Sequence, residues 1–416
     1  MSRGDLPQLE PWIASFNSLG ENLGSGAAGL VSLEPEALLR AARDATGLDD
    51  FGDVGFREPF EIFCRSLEEQ AELTLLGRVL ARSEIQRLLQ SRLAMREILR
   101  KEPLILDQEI EKPLFITGLA RSGTTFLHEL LWQDPANRVP LLWEMMYPAP
   151  LVRNAGLDPD DPRVAASHRE IKISDEILPE FSTMHESAGH LPNECIFIFA
   201  HEFHTEMWLG QYKVASYLEW VSGADKKRLY EAHRRFLQFL QWRHQGEQWV
   251  LKGPSHLAML SRLFEVYPDA HVVVTHRDPV RGLGSLGSII AAMISMRSGA
   301  VDRNLCTRLQ SAAAPMLLGK FMEQRARGDL PEDRISDIRY PDLVSNPIGT
   351  VASLYRRLGR NFSADARDRM KTWLDAKASE PPVPHQHRFE DTGLDLATER
   401  AKYRDYMKRF DLPEEI

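Results

Sequence analysis

From residue 60 to about residue 101 the apolar positions recur three and four apart. Leu73, Leu76, Val79, Leu80, Ile85, Leu88, Leu89, Leu93 and Ile98 fall on one stripe of a 3.6-residue helix. Another helix is predicted from Glu34-Pro35-Glu36, continuing through Ala37, Leu38, Leu39, Ala41 and Ala42. Residues 1–32 read as loosely structured, because 18–29 is rich in Gly, Ser and Ala, and residues 44–55 read as a Gly/Asp turn region. Residues 1–110 are therefore expected to form an N-terminal helical region, and no internal repeat is visible.

At Pro113 the period changes. Pro113-Leu114-Phe115-Ile116-Thr117 is a short apolar run ended by Gly118, as in a strand covered on both faces. Trp249-Val250-Leu251 and His271-Val272-Val273-Val274-Thr275 repeat it, and Ile335-Ser336-Asp337-Ile338-Arg339 does so more weakly. Helical patterns follow at 124–133, 255–266, 283–296 and 348–358. Strands alternating with helices predict an α/β fold: a three-layer core with a central parallel sheet over residues 111–416, with the N-terminal helices packed on it. Ligands of such sheets sit at the carboxyl ends of the strands, so the chemistry is expected there.

The composition narrows the field. The chain has 416 residues, 43% hydrophobic and 27% charged, an ordinary globular mix. Its net charge of −9 disfavours a nucleic-acid partner, which needs a dominant basic face. Cys64, Cys195 and Cys306 are too few and too scattered for a disulfide framework, which points to a reducing cytoplasm. The polar start lacks an apolar targeting segment, and no apolar run is long enough to span a bilayer.

Three strand ends carry chemistry. The first leads into Gly118-Leu119-Ala120-Arg121-Ser122-Gly123-Thr124-Thr125 and then a helix. Backbone N–H groups in that turn, with the helix dipole, form an anion cradle. The frame is that of a nucleotide P-loop, but Thr124 stands where the phosphate-binding lysine would be, which speaks against an ATP- and magnesium-dependent phosphotransferase. Arg121 supplies a different cation. The third strand ends at His276-Arg277-Asp278-Pro279, with Ser285 in the helix beyond. Arg277 and Ser285 can share one phosphate, the first as charged fork and the second as neutral donor; the plainer alternative is that Arg277 pairs with a carboxylate such as Asp278. Gly282-Leu283-Gly284-Ser285-Leu286-Gly287 spells a G-x-G-x-x-G, but it does not directly follow a strand, so a dinucleotide fold is disfavoured. The second strand ends in Leu251-Lys252-Gly253-Pro254-Ser255-His256, where Lys252 can neutralise charge on a transferred group.

Together these segments resemble the sulfotransferases that use 3′-phosphoadenosine 5′-phosphosulfate (PAPS), and most closely their large bacterial-type branch. The loop containing Arg121, Ser122, Gly123, Thr124 and Thr125 is similar to the family's 5′-phosphosulfate loop, and Arg277 with Ser285 to its 3′-phosphate site. Leu141-Leu142-Trp143-Glu144, Pro192-Asn193-Glu194-Cys195, the segment around Lys252, Tyr340-Pro341-Asp342-Leu343-Val344 and Thr46-Gly47-Leu48-Asp49-Asp50-Phe51-Gly52 extend the likeness over most of the chain. Ala120 replaces the usual Pro, and Gly253 the usual Ser. The resemblance implies PAPS as co-substrate, no metal, Tyr340 near the donor, and a tail in which Arg388 reaches a phosphate.

Sulfuryl transfer also needs a base near the acceptor. The resemblance points to a Glu downstream of the loop. Glu144, framed by Leu141, Leu142, Trp143, Met145 and Met146, is the first candidate, its alternative role being to cap a helix or pair with an arginine. Glu194 is the second, and the flanking His185 and His190 are further candidates. His201-Glu202-Phe203-His204 lacks metal-binding spacing, and Trp208, Tyr212, Tyr217 and Trp220 read as core before pocket. The acceptor implied is a small molecule, a carbohydrate or a lipid such as a glycolipid. A catalytically silent nucleotide-binding scaffold is the non-enzymatic alternative.

Overall fold

The computed structural model describes residues 8–22, 26–149, 161–184, 187–242, 248–299, 301–379 and 389–416. Five strands form one parallel sheet: β1 (Leu114–Gly118), β2 (Asn137–Arg138), β3 (Gln248–Lys252), β4 (His271–His276) and β5 (Ile335–Arg339), in the order β2-β3-β1-β4-β5. Four are the predicted ones. The fifth, β2, is two residues long and leaves no periodic signal.

Alternation along β1 divides the two cores. Leu114 and Ile116 face a layer with Leu127, Leu130 and Leu131 of the helix Thr124–Trp132 and Tyr355 of the helix Pro347–Arg357. Phe115 faces the opposite layer with Leu237, Leu263 and Phe321, from the helices Lys227–Gln241, Leu260–Val266 and Arg303–Arg327. Burial of all five β1 residues is why its sequence is an unbroken apolar run.

The N-terminal helices have no core of their own. Leu38, Leu39, Phe60, Phe63, Ile85 and Leu88 share one with Phe203, Trp208, Tyr212 and Tyr217, so these aromatics are core residues. The helical stripe of residues 60–101 is split into Arg57–Gln70 and Leu75–Lys101, with Thr74 capping the second by accepting from Gly77 N at 3.1 Å.

Residues 11–22 and 26–30 correct the expectation of a loose segment. They contain helices Pro11–Glu21 and Gly26–Leu30. Gly20 serves close packing: a Cβ there would lie 3.0 Å from Ala27 Cβ and 3.2 Å from Leu75 Cβ.

Candidate active site

β1 is flanked by β3 on one side and β4 on the other, all parallel, so the three carboxyl ends lie side by side at one edge of the sheet. The register sets Ile116 beside Lys252 and Gly118 beside Thr275.

The loop after β1 is built for close backbone approach. Gly118 has φ +148°, and a Cβ there would stand 2.5 Å from Thr275 O. Gly123 has φ +95° at the N-cap of Thr124–Trp132, and its missing Cβ would lie 2.6 Å from the Tyr340 ring. Both glycines are required, by conformation and by space. Ser122 turns inward: its hydroxyl donates to Leu119 O at 2.6 Å and meets Thr275 Oγ1 at 2.7 Å, so the side chain is committed within the protein. Thr124 is buried and Thr125 exposed.

Arg121 also has positive φ, +70°. Arg277 Nη1 donates to the Arg121 carbonyl at 3.2 Å, which joins the β1 and β4 strand ends directly. Desolvation, then the like charges of Arg277 and Arg281, holds the Arg121 pKa below its ordinary value. Such a cluster favours an arriving anion. The Arg277 guanidinium lies 3.9 Å from the Tyr340 ring centroid. Tyr340 therefore buttresses both Gly123 and Arg277. Ser285 is half-buried in the helix Pro279–Ser295.

Arg277 does have a carboxylate partner, but it is Glu415, not Asp278. Arg277 Nε lies 2.9 Å from Glu415 Oε1 and Nη2 lies 2.6 Å from Oε2. Asp278 instead caps the helix, accepting from Val280 N at 3.0 Å. Nothing in the pattern around Glu415 signals this long-range contact.

At the third strand end Lys252 is 3% exposed. Its Nζ donates to Glu194 Oε1 at 2.8 Å and to Thr125 Oγ1 at 3.4 Å, linking β3 to the loop. Glu194 Oε2 has no hydrogen-bond partner among the described residues. Cys195 N donates to Lys252 O at 2.8 Å, which fixes Glu194 beside the lysine. Ser255 Oγ, just beyond, is buried without a partner among the described residues.

Glu144 is placed differently. It is 4% exposed, and Arg138 grips both its oxygens, Nη2 to Oε1 at 2.7 Å and Nη1 to Oε2 at 3.1 Å. Oε2 also accepts from Leu141 N at 2.9 Å, at the start of the helix Leu142–Met146. The role weighed as its alternative, capping and arginine pairing, is thus the geometry observed. The two candidate segments are stitched together, with Leu142 N donating to Leu191 O at 3.0 Å and Asn193 N to Pro140 O at 3.2 Å. His190 is exposed in the turn between them. His185 and Arg388 lie outside the described residues. His201 bonds Met145 O and His204 bonds Lys226, at 2.7 Å each, so the two imidazoles serve different partners. No helix of the described residues is long and apolar enough to cross a membrane.

Comparison with known proteins matches this region. The chain is 26% identical over 264 residues to omega-hydroxy-beta-dihydromenaquinone-9 sulfotransferase Stf3 of Mycobacterium bovis and of Mycobacterium tuberculosis, over 60% of this chain. It spans 63% of the length of those curated relatives. Among solved structures it resembles sulfotransferase STF9 of Mycobacterium avium, at TM-score 0.79 and 26% identity, covering 91% of this chain and 97% of that one. It also resembles sulfotransferase STF1 of Mycobacterium tuberculosis H37Rv, at TM-score 0.75 and 29% identity, covering 89% and 98%. The family model described as "Sulfotransferase family" matches residues 113–364, from the start of β1 past Tyr340. With most of the chain matched, and with the loop, Lys252 and Arg277 inside the match, this chain belongs to the sulfotransferase family.

Proposed function

We propose that the chain transfers a sulfuryl group from PAPS to a hydroxyl of a lipid-like small molecule. The observation that carries this is the buried Lys252, held between Glu194 and Thr125 at the edge of a loop that lacks the P-loop lysine. The two anion groups of PAPS fit the residues present. The loop N–H groups and Arg121 receive the phosphosulfate, and Arg277 with Ser285 receives the 3′-phosphate beside Tyr340. The Ser255 hydroxyl, without a partner among the described residues, offers a further donor at the Lys252 end.

The donor supplies an activated sulfuryl group. The acceptor oxygen bonds to sulfur as the sulfur–oxygen bond to the 5′-phosphate breaks, and 3′,5′-ADP leaves. Lys252 offsets the charge that builds on the departing phosphate oxygen. Glu194 takes the acceptor proton, because one of its oxygens has no hydrogen-bond partner among the described residues whereas Glu144 has both committed to Arg138 and Leu141. Glu144 then holds Leu141, which bridges to Pro192 in the segment that carries Glu194. The acceptor class follows the Stf3 relatives, whose name specifies a hydroxylated menaquinone.

The test is an assay with radiolabelled PAPS against hydroxylated prenyl quinones, sterols and sugars. Label should move to a hydroxylated lipid without added magnesium, and Lys252→Met should abolish the transfer while 3′,5′-ADP still binds. Phosphoryl transfer from magnesium-ATP, or undiminished turnover of the Lys252 variant, would overturn the proposal.

A further inference from the structure

The fork of Arg277 is already occupied by an anion of this chain. Glu415 spans its Nε and Nη2 edge in a two-pronged contact, at 2.9 Å and 2.6 Å. Nη1 is engaged by the Arg121 carbonyl and one face of the guanidinium is covered by Tyr340. A carboxylate on that edge has the shape and charge of the group a phosphate would present to it.

Residues 411–416 are brought there by a set of polar ties. Asp411 accepts from Arg339 at 2.9 Å, and Glu415 N donates to Asp278 Oδ2 at 2.9 Å. Arg400, on the helix Leu396–Arg409, pairs with Glu414 at 3.3 Å and donates to the Ile416 carbonyl. Leu412 is the one apolar side chain of the segment that is buried. Asp411 and Glu414 are largely exposed, so their two ion pairs are screened by water and add little to the hold, which rests on Leu412, on the Glu415 N–Asp278 bond and on the Arg277–Glu415 pair itself.

We propose that Glu415 is a built-in competitor for the 3′-phosphate, so that residues 411–416 gate the donor pocket. The inference rests on the donor reading above. A nucleotide with a 3′-phosphate must displace the Glu415 carboxylate before it gains Arg277. A nucleotide with a free 3′-hydroxyl has no need to displace it. Glu415 therefore weakens the grip on 3′-phosphorylated nucleotides selectively. It also gives the product a route out: as the phosphate leaves, the carboxylate returns to the guanidinium and no bare cation is left half-buried.

The test measures affinities of the full chain for 3′,5′-ADP and 5′-ADP by calorimetry, in wild type, Glu415→Gln, Glu415→Ala and Arg277→Ala. Both Glu415 variants should bind 3′,5′-ADP about tenfold more tightly, since the competing closed state is lost, with 5′-ADP unchanged. Unchanged or weaker 3′,5′-ADP binding in both would overturn the gate and show that Glu415 only orients Arg277. Equal tightening toward both nucleotides would also overturn it. Arg277→Ala separates the two levels. If it leaves 3′,5′-ADP affinity intact, the donor reading fails and the gate with it. If it weakens binding while the Glu415 variants do not tighten it, the gate alone fails.

Discussion

Exchange of Glu194 and of Glu144 for Gln separates the carboxylate proposed to take the acceptor proton from the one proposed only to support the site. Glu194→Gln keeps shape and an amide oxygen for Lys252 but cannot accept the acceptor proton. A positioned general base contributes about 10²–10⁴ in rate, so turnover should fall at least about 100-fold, or about 2.7 kcal/mol of activation energy. Lys252, 3% exposed, keeps a hydrogen-bond acceptor, so the stability cost should stay near 1–2 kcal/mol, in the range of about 1–3 for one weakened buried bond. Affinity for 3′,5′-ADP should hold or rise, because removing a negative charge beside Lys252 makes the pocket more attractive to anions. Glu144→Gln acts on the other pair, Arg138–Glu144, whose side chains are 14% and 4% exposed. It leaves a largely buried guanidinium without its counter-charge, at a cost of about 3 kcal/mol. Its signature should be a melting temperature lower by several degrees, with turnover per folded molecule within about threefold of wild type, since no reacting proton is lost. The assay is initial rates at saturating donor and acceptor, paired with calorimetric affinity and thermal melts. A 100-fold turnover loss in Glu144→Gln with an unshifted melt, and near-normal turnover in Glu194→Gln, would refute the assignment and give the proton to Glu144.

Two further outcomes follow from the same geometry. Gly123→Ala places a Cβ at φ +95°, 2.6 Å from the Tyr340 ring. Strain of about 1–2 kcal/mol, with displacement of the ring beneath Arg277, should weaken 3′,5′-ADP binding by at least about tenfold; calorimetry showing unchanged affinity would contradict the packing. Stability should fall with acid. Burial, the first cause in each case, holds His128, His201, His204 and His256 at about 3, below their ordinary 6.5. The unfolded chain binds those protons first, so the penalty is absent well above pH 6.5 and grows as pH falls toward 3. Between pH 6 and 5 each costs up to about 1.2 kcal/mol, so the denaturant midpoint should drop clearly; a flat midpoint across that interval would refute the buried neutral state.

The sequence made the site's frame legible where one physical demand dominated. β1, β3 and β4 are buried on both faces, so their apolar runs had no alternative reading. Gly118 and Gly123 punctuate the loop because the backbone there requires positive φ. What escaped was set by tertiary partners. β2 is too short to carry a period, yet it sets Arg138 against Glu144 and so converts an apparently apolar frame into an ion pair. Gly20 reads as flexibility and serves packing. Glu415 lies far along the chain from Arg277, and only the folded route of the helix Leu396–Arg409 brings them together.

The most direct measurement is calorimetric titration of the wild-type chain with 3′,5′-ADP, 5′-ADP and ATP, each in EDTA and again in magnesium. The proposed donor, with its phosphosulfate at the Arg121 loop and its 3′-phosphate at Arg277, requires 3′,5′-ADP to bind most tightly, by about tenfold or more over 5′-ADP, with no change on adding magnesium. Tightest binding of ATP, and only with magnesium present, would contradict them.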